Sequence, residues 1–249
     1  MVYLGSDFLQ EKLHMKQHPG INPPPFESTI TDISENMIFL SESYCYPRGG
    51  GQQGDTGIIS KSTLQTELLE TLPGQSIIHP VVSTDGFNVG DEVLCTINQD
   101  RRNKNTTMHT VQHIVSAIAN DMYSAETVGN QISEDYTRID LKFPDRDKFN
   151  SDDLEVAVNE IINSKVPVRI HNWERKRILE HDQMRHTKFM DRIPSSITNL
   201  RVVEIVDVDL CPCGGTHVDN TAMLNEMTIT NTKSKGAGKL RISYSLNNR

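Results

Sequence analysis

Two groups of metal-binding residue types, far apart along the chain, constrain most strongly how this sequence can fold. The first is His109-Thr-Val-Gln-His113 and the second is Cys213-Gly-Gly-Thr-His217. Histidines four residues apart on a helix lie on one face, a spacing suited to sharing a metal ion. The two glycines allow a tight turn that points Cys213 and His217 at one ion. One common site therefore requires a helix to meet a turn at the end of a strand.

Together the two groups supply the nitrogen and sulfur ligands that Zn²⁺ prefers, so His109, His113, Cys213 and His217 offer three or four ligands for one zinc ion. The histidine pair alone does not distinguish a metal site from two ordinary buried or exposed histidines. Thr110 stands where zincin metalloproteases have the glutamate of His-Glu-x-x-His, which excludes that class. Catalytic zinc usually keeps one position for water or substrate, whereas these residues would close a tetrahedron, so the number that bind at once stays open.

Composition excludes several classes of function. The formal net charge of -8 argues against a general polyanion binder, because such binding relies on many Lys and Arg contacts to phosphate, and any RNA contact must be local. No segment approaches the roughly 18 consecutive apolar residues of a membrane span, and the N-terminus lacks signal-peptide features, so we expect a cytoplasmic protein. Of the cysteines, Cys211 and Cys213 are too close for an ordinary disulfide, which favours metal binding or packing.

Hydrophobic periodicity divides the chain into two predicted domains. Short strands broken by turn residues are expected at 28–33, 37–41, 56–60, 76–82 and 92–97, and their spacing suggests a small β-barrel. Helices are expected at 109–122, 152–163 and 173–184, with strands at 137–143, 166–171, 201–208, 226–232 and 240–246. We therefore predict an α+β chain, with an N-terminal small β-barrel domain at residues 1–98 and an α+β domain with a mainly antiparallel sheet at residues 99–249.

The metal-binding groups resemble the paired motifs of the alanyl-tRNA synthetase editing domain and its free-standing AlaX-type relatives. The resemblance extends upstream to the glycine-rich Tyr46-Pro-Arg-Gly-Gly-Gly-Gln-Gln-Gly-Asp-Thr-Gly57 and downstream to Lys235-Gly-Ala-Gly-Lys-Leu-Arg-Ile242. Order and spacing agree over most of residues 40–246. Threonyl-tRNA synthetase editing domains share the metal signature, but the glycine-rich segment and the Cys-Gly-Gly-Thr-His form point to the alanine system, and the length resembles the medium-length AlaX type.

The resemblance implies a trans-editing hydrolase that deacylates mischarged tRNA(Ala), mainly Ser-tRNA(Ala) and also Gly-tRNA(Ala). It also implies Zn²⁺ at the active site, with His109, His113, Cys213 and His217 as the expected ligands. The expected partner is the mischarged tRNA, and no dedicated protein partner is evident. Zinc would act on the aminoacyl ester as a Lewis acid, a water activator or an orienting template, and the sequence does not choose among these. The alternatives are a non-catalytic zinc-stabilised RNA-binding protein and an editor of another mischarged tRNA such as Ser-tRNA(Thr).

Further residues are candidates for contacts near the aminoacyl group. Thr127 falls where the family has a polar residue that would recognise a serine hydroxyl, although a simple turn threonine is the alternative. Asp209 is expected either to orient a metal ligand or merely to end a strand. Gly214 and Gly215 complete this substrate-binding set, and Cys211 is expected to be a bystander.

Basic residues near the expected site are candidates for phosphate contacts. They are Arg102, Lys235, Lys239 and Arg241. Their position beside the metal-binding groups favours a local tRNA contact in an otherwise acidic protein. The alternative is that they form ordinary solvated surface.

Overall fold

The computed structural model describes residues 10–17, 20–184, 190 and 193–247. These residues form two compact units. The N-terminal unit contains residues 10–17, Asn22–Gly49 and Gln53–Arg102, and the C-terminal unit contains residues 20–21, Gly50–Gln52 and the chain from Asn103 onward. Two short segments thus leave the first half of the sequence to join the C-terminal unit, and one of them is part of the glycine-rich motif.

The N-terminal unit is an antiparallel sheet with two short additions. Its elements are β1 (Glu11–Lys12), α1 (Leu13–Lys16), β2 (Phe26–Ser34), β3 (Met37–Leu40), β4 (Glu42–Ser43), β5 (Gly57–Lys61), β6 (Leu64–Leu68), β7 (His79–Pro80) and β8 (Glu92–Ile97). The main sheet of the described residues has the strand order β6-β5-β8-β2-β3-β7. Its outer strands meet through the isolated bridge Leu68↔Val81. The predicted small β-barrel is not confirmed, because β7 is too short to form a full ladder with β6.

A buried ion pair stabilises the N-terminal unit beside its apolar core. Strand β8 alternates exposed and buried residues and contributes Val93, Cys95 and Ile97 to that core. Next to it, Arg102 is 1% exposed and donates to the carboxylate of Asp55 and to the carbonyl of Tyr44. A buried guanidinium requires such partners, because its desolvation is costly when the charge is unpaired.

The C-terminal unit is an α+β structure. Its elements are α2 (Gln99–Tyr123, which begins in the N-terminal unit), β9 (Glu126–Ile132), β10 (Thr137–Lys142), α3 (Ser151–Asn163), β11 (Val168–Glu174), α4 (Arg175–Leu179), β12 (Asn199–Ile205), β13 (Asp209–Pro212), β14 (Met227–Gly236) and β15 (Lys239–Leu246). Within the described residues the sheets β14-β15-β10-β9 and β11-β12-β13 are antiparallel. Short 3-10 turns lie at Arg146–Lys148 and Thr221–Met223. The mainly antiparallel α+β class is therefore confirmed.

Helix α2 is the centre of the C-terminal unit. Val111, Ile114 and Val115 of this helix are fully buried in the core, whereas Met122 in its last turn is exposed. The helix begins at Gln99, ten residues before its predicted start. The prediction missed these first turns because they are polar and show no apolar periodicity. No described helix has both the length and the apolar character that a membrane crossing requires.

Several strands and one helix end also differ from the sequence prediction. Strands β1, β4, β6, β9 and β13 were not predicted, since they are short or have polar residues on both faces, as in β9, where nearly every residue is partly accessible. The helix predicted at 173–184 is wrong over its first residues, because β11 continues to Glu174. Only Arg175–Leu179 is helical there, and pairing with β12 overrides the local helical preference of the end of β11.

Candidate metal centre

The donor atoms of the two sequence groups converge within the C-terminal unit. His109 and His113 lie one turn apart on α2, and Cys213 and His217 follow β13. Among the described residues, one ligand atom from each lies within 4.8 Å of the others. The Cys213 Sγ atom is 3.6 Å from His109 Nε2 and 3.4 Å from His217 Nε2. Tetrahedral zinc with ordinary Zn–S and Zn–N bonds separates sulfur from nitrogen by about 3.6 Å, so the donor set fits this ion.

His109 has its tautomer fixed by Gln52 of the glycine-rich motif. The Gln52 Oε1 atom accepts from the backbone N–H of Thr216 at 3.2 Å, and Gln52 Nε2 donates to the Thr216 hydroxyl at 2.9 Å. These bonds identify which amide atom is oxygen. That oxygen lies 2.7 Å from His109 Nδ1. Nδ1 must therefore carry the proton, which leaves the Nε2 lone pair of His109 facing the Cys213 sulfur.

His113 is oriented by a carboxylate. Its Nδ1 atom lies 2.9 Å from Oδ2 of Asp209, and both side chains are buried. The carboxylate accepts a hydrogen bond from Nδ1–H and directs Nε2 toward the cluster, the arrangement that commonly orients metal-binding histidines. Asp209 therefore contacts one of the candidate metal ligands. This contact agrees with the first of the two roles that the sequence left open for Asp209, which is to orient a metal ligand.

His217 is oriented by a hydroxyl of α2. The Thr110 hydroxyl donates to the Thr106 carbonyl at 3.0 Å, so its proton is already used. Its oxygen lies 3.2 Å from His217 Nδ1 and must accept there. An amide, a carboxylate and a hydroxyl thus hold the three Nδ1 atoms of the cluster, and each histidine presents Nε2 to the common centre.

Electrostatics favours a thiolate in this cluster. Burial raises the pKa of Cys213, but the charge of His109 and hydrogen bonds from the three histidines outweigh burial and bring this pKa well below its usual value. Burial likewise lowers the pKa of His113, yet its hydrogen bonds with Asp209 and Cys213 raise it to about 10. Burial and neighbouring cationic groups lower the pKa of His217 well below its usual value. The thiolate is the form of cysteine that binds metals.

Glycine is required where backbone approaches the cluster. A Cβ atom at Gly215 would lie 2.1 Å from Cε1 of His109. A Cβ atom at Gly20 would lie 2.1 Å from the His217 carbonyl oxygen. Gly214, the other glycine of the predicted substrate-binding set, is exposed. Gly20 was not predicted to take part, because a glycine near prolines is typical of any connecting loop.

Cys211 stays outside the donor cluster of the described residues. Burial and the nearby charges of Asp209 and Cys213 raise the pKa of its thiol well above the usual value. The two cysteines of Cys-Pro-Cys therefore differ sharply, since neutral Cys211 is a poor metal ligand and Cys213 is a good one.

Thr127 lies on β9 and not in a turn. Its hydroxyl donates to Ser116 Oγ at 2.9 Å, and Ser116 also accepts from Gln112 Nε2 at 2.7 Å. Asn130 continues this polar chain by donating to Gln112 at 3.2 Å. Ser116 lies three residues after His113 on α2, so this polar chain of side chains begins on the helical turn that follows His113.

The basic candidates differ in accessibility. Arg102 is buried against Asp55 and cannot reach a phosphate, so the prediction that it binds tRNA is wrong. Lys235 and Lys239 are exposed on the β14–β15 hairpin. Arg241 donates through Nε and Nη2 to the two carboxylate oxygens of Asp140, at 2.7 and 2.8 Å.

Two contributors to the centre were not found from the sequence. Gln52 lies in the glycine-rich motif that carried the resemblance, but no local pattern indicated that it contacts a histidine. Arg201 on β12 donates to the carbonyl of Cys213, and its charge helps to lower the pKa of His109, for which burial is the main cause. Nothing in the spacing of Arg201 would have indicated this contact.

Two sequence families match parts of the chain. The family described as threonyl and alanyl tRNA synthetase second additional domain matches residues 200–243, which include Cys213 and His217. The family described as tRNA synthetases class II (A) matches residues 20–101.

Individual relatives match nearly the whole chain. The alanyl-tRNA editing protein AlaX-M of Saccharolobus solfataricus is 30% identical over 224 residues, which cover 89% of this chain and 93% of the relative. AlaX-M of Methanosarcina mazei is 31% identical, with 89% and 91% covered. The alanyl-tRNA editing protein AlaX-L of Pyrococcus horikoshii is 30% identical, with 88% of this chain and 54% of that protein covered.

Proposed function

The chain belongs to the family of alanyl-tRNA editing proteins, and from this premise we propose that it deacylates mischarged tRNA(Ala) with zinc at its active site. Serine is the proposed main error and glycine a second one. The reaction adds water to the aminoacyl carbonyl and breaks its ester bond to the ribose of the tRNA. The names of the relatives support the tRNA, and the donor cluster supports the metal.

The observation that carries the proposal is the common orientation of the imidazoles. Three buried histidines direct their Nε2 atoms, and one cysteine of lowered pKa directs its sulfur, to a single point. His109, His113, Cys213 and His217 would hold the zinc ion, which supplies Lewis-acid chemistry for ester hydrolysis when it is bound. Gln52, Asp209 and Thr110 keep the imidazole rings aligned and the Nδ1 protons in place.

Exchanging the tRNA body and the amino acid tests this function against its alternatives. Serine release is measured from Ser-tRNA(Ala) and Ser-tRNA(Thr) under single-turnover conditions, with Ala-tRNA(Ala) as the correctly charged control. We expect rapid release from Ser-tRNA(Ala) alone. Rapid release from Ser-tRNA(Thr) would favour the threonine system. Binding of tRNA(Ala) without release of any amino acid would favour a non-catalytic zinc-stabilised RNA-binding protein.

We propose that Thr127 recognises the serine hydroxyl. Its hydroxyl donates to Ser116, and its remaining lone pairs can accept a hydrogen bond from a substrate hydroxyl. Thr127→Val has nearly the same shape, and losing one hydrogen bond costs about 1 kcal/mol, so kcat/KM for Ser-tRNA(Ala) should fall about fivefold to tenfold. Gly-tRNA(Ala) is the internal control, because glycine has no hydroxyl and its kcat/KM should not change. An equal loss for both substrates, or for neither, would exclude this role.

Replacing Gln52 by methionine tests whether it orients His109. Methionine fills a similar volume but cannot accept the Nδ1 proton, so we expect zinc affinity to fall about 10- to 100-fold. Affinity is measured by competition with a chelator. Gln52→Glu is the matched variant: it keeps the acceptor oxygen and should bind zinc more tightly than Gln52→Met. Wild-type affinity in Gln52→Met would show that the contact does not position the ligand.

A further inference from the structure

One face of the sheet β14-β15-β10-β9 is rich in basic residues. Strands β10 and β15 alternate buried and accessible side chains, as half-buried strands do, and their buried residues belong to the core around α2. Strand pairing brings the accessible positions of β10, β14 and β15 to one side. We call this side the basic face, and its basic residues are Arg138, Lys142, Lys233, Lys235, Lys239 and Arg241.

The few acidic groups near the basic face do not cancel its charge. Asp140 is bound by both donors of Arg241, and their hydrogen bonds, with the charges of Arg138 and Lys235, lower its pKa. Glu126 lies on the outer strand β9, opposite Lys142. Asp140 is therefore paired with Arg241, and the four strands carry six Lys and Arg residues against the two carboxylates of Asp140 and Glu126.

The pairing of Lys142 with Lys239 is unfavourable in the isolated protein. These lysines are direct partners across β10 and β15, and like charges in this position destabilise a sheet. In the part of the chain that the structure describes, neither lysine has an ion-pair partner. A bound polyanion would remove this repulsion. The basic face is also a local exception in a chain with a formal net charge of -8.

We propose that the basic face binds the sugar-phosphate backbone of the tRNA whose aminoacyl end is hydrolysed. This inference rests on the proposed function, and it extends the hairpin lysines predicted from the sequence to Arg138 and Lys142 of β10. Lysines and arginines on a polar surface position RNA through phosphates without reading its sequence. The acidic remainder of the chain disfavours binding of nucleic acid elsewhere.

Charge reversal on the basic face tests the proposal. The double variant Lys142→Glu/Lys239→Glu is compared with Lys61→Glu/Lys176→Glu, which changes the net charge equally at other surface lysines. Binding of uncharged tRNA(Ala) is followed by fluorescence anisotropy at several salt concentrations. We expect the first variant to bind at least about tenfold more weakly. We also expect the slope of the logarithm of the binding constant against the logarithm of the salt concentration to become less steep by about two units. The control variant should stay within about twofold of wild type, and Lys142→Arg/Lys239→Arg should bind as wild type.

The outcomes separate this inference from the proposed function. Wild-type affinity and salt slope in Lys142→Glu/Lys239→Glu, with wild-type hydrolysis of Ser-tRNA(Ala), would overturn the basic face alone. Equal loss of binding in both double variants would also overturn it, because net charge alone would then explain the effect. Failure of the wild-type protein to bind or hydrolyse any form of tRNA(Ala) would overturn the proposed function itself. Thermal unfolding of each variant verifies that the fold is retained.

Discussion

Cys213→Ala and His113→Ala are expected to abolish tight zinc binding and to lower the single-turnover rate of serine release by about a thousandfold. The structure predicts this because each change removes one donor from a buried set in which every imidazole is already oriented. A metal ion contributes several kcal/mol to a hydrolytic transition state, and about 4 kcal/mol corresponds to a thousandfold change in rate. Zinc content is measured by elemental analysis and hydrolysis by release of labelled serine.

Cys211→Ala is the matched control for the thiol. It removes a partly buried cysteine two residues from Cys213, and the thiol it removes has a raised pKa and lies outside the donor cluster. We expect this variant to keep its zinc and its activity. Loss of zinc in Cys211→Ala, or retention of zinc in Cys213→Ala, would show that Cys213 is not the thiol that binds the metal.

Arg102→Met is expected to lower the free energy of unfolding by about 3–5 kcal/mol. The substitution leaves the carboxylate of Asp55 buried without its countercharge, and an unpaired buried charge costs this much. The only tryptophan of the chain is Trp173 in the C-terminal unit, so unfolding of the N-terminal unit is followed by circular dichroism in urea. A second substitution, Asp55→Asn, removes the unpaired charge and should restore part of the loss.

An exposed ion pair provides the comparison for Arg102. Arg48 pairs with Glu70, and the Arg48 side chain is 60% exposed. Exposed pairs contribute about 0–1 kcal/mol, so Arg48→Met should have little effect on stability. A loss below about 1 kcal/mol in Arg102→Met would show that the buried pair does not stabilise the unit and would reopen the question of a role in tRNA binding.

The four candidate donors that the structure brings together could be picked out from the sequence because their pattern is local. His109 and His113 are one helical turn apart, and Cys213 and His217 are separated by a short turn with two glycines, so each pair can be recognised without the fold. The contacts that orient these donors are not local. Gln52 and His109 are 57 residues apart, and His113 and Asp209 are 96 residues apart. No periodicity in the sequence indicates such a contact. Gln52 was therefore missed, and the sequence left two roles open for Asp209, orienting a ligand or ending a strand.

The sequence prediction failed where charge or polarity concealed burial. Arg102 was assigned to tRNA because it lies beside the metal-binding groups in the sequence, but its partner Asp55, 47 residues away, holds it in the interior. The start of α2 was missed for a related reason, since polar residues such as Asn105 and Thr106 are buried there. Helices and strands with one apolar face were found, as in α3 and β15.

Single-turnover hydrolysis of Ser-tRNA(Ala) by metal-free and zinc-restored protein tests the central claim most directly. The protein is stripped with a chelator and dialysed, and release of labelled serine is measured before and after one equivalent of Zn²⁺ is added. Zinc uptake and circular dichroism are recorded on the same samples. We predict negligible release without metal, full recovery with zinc in wild type, and no recovery in Cys213→Ala. Wild-type rates in a folded, zinc-free protein would contradict the account.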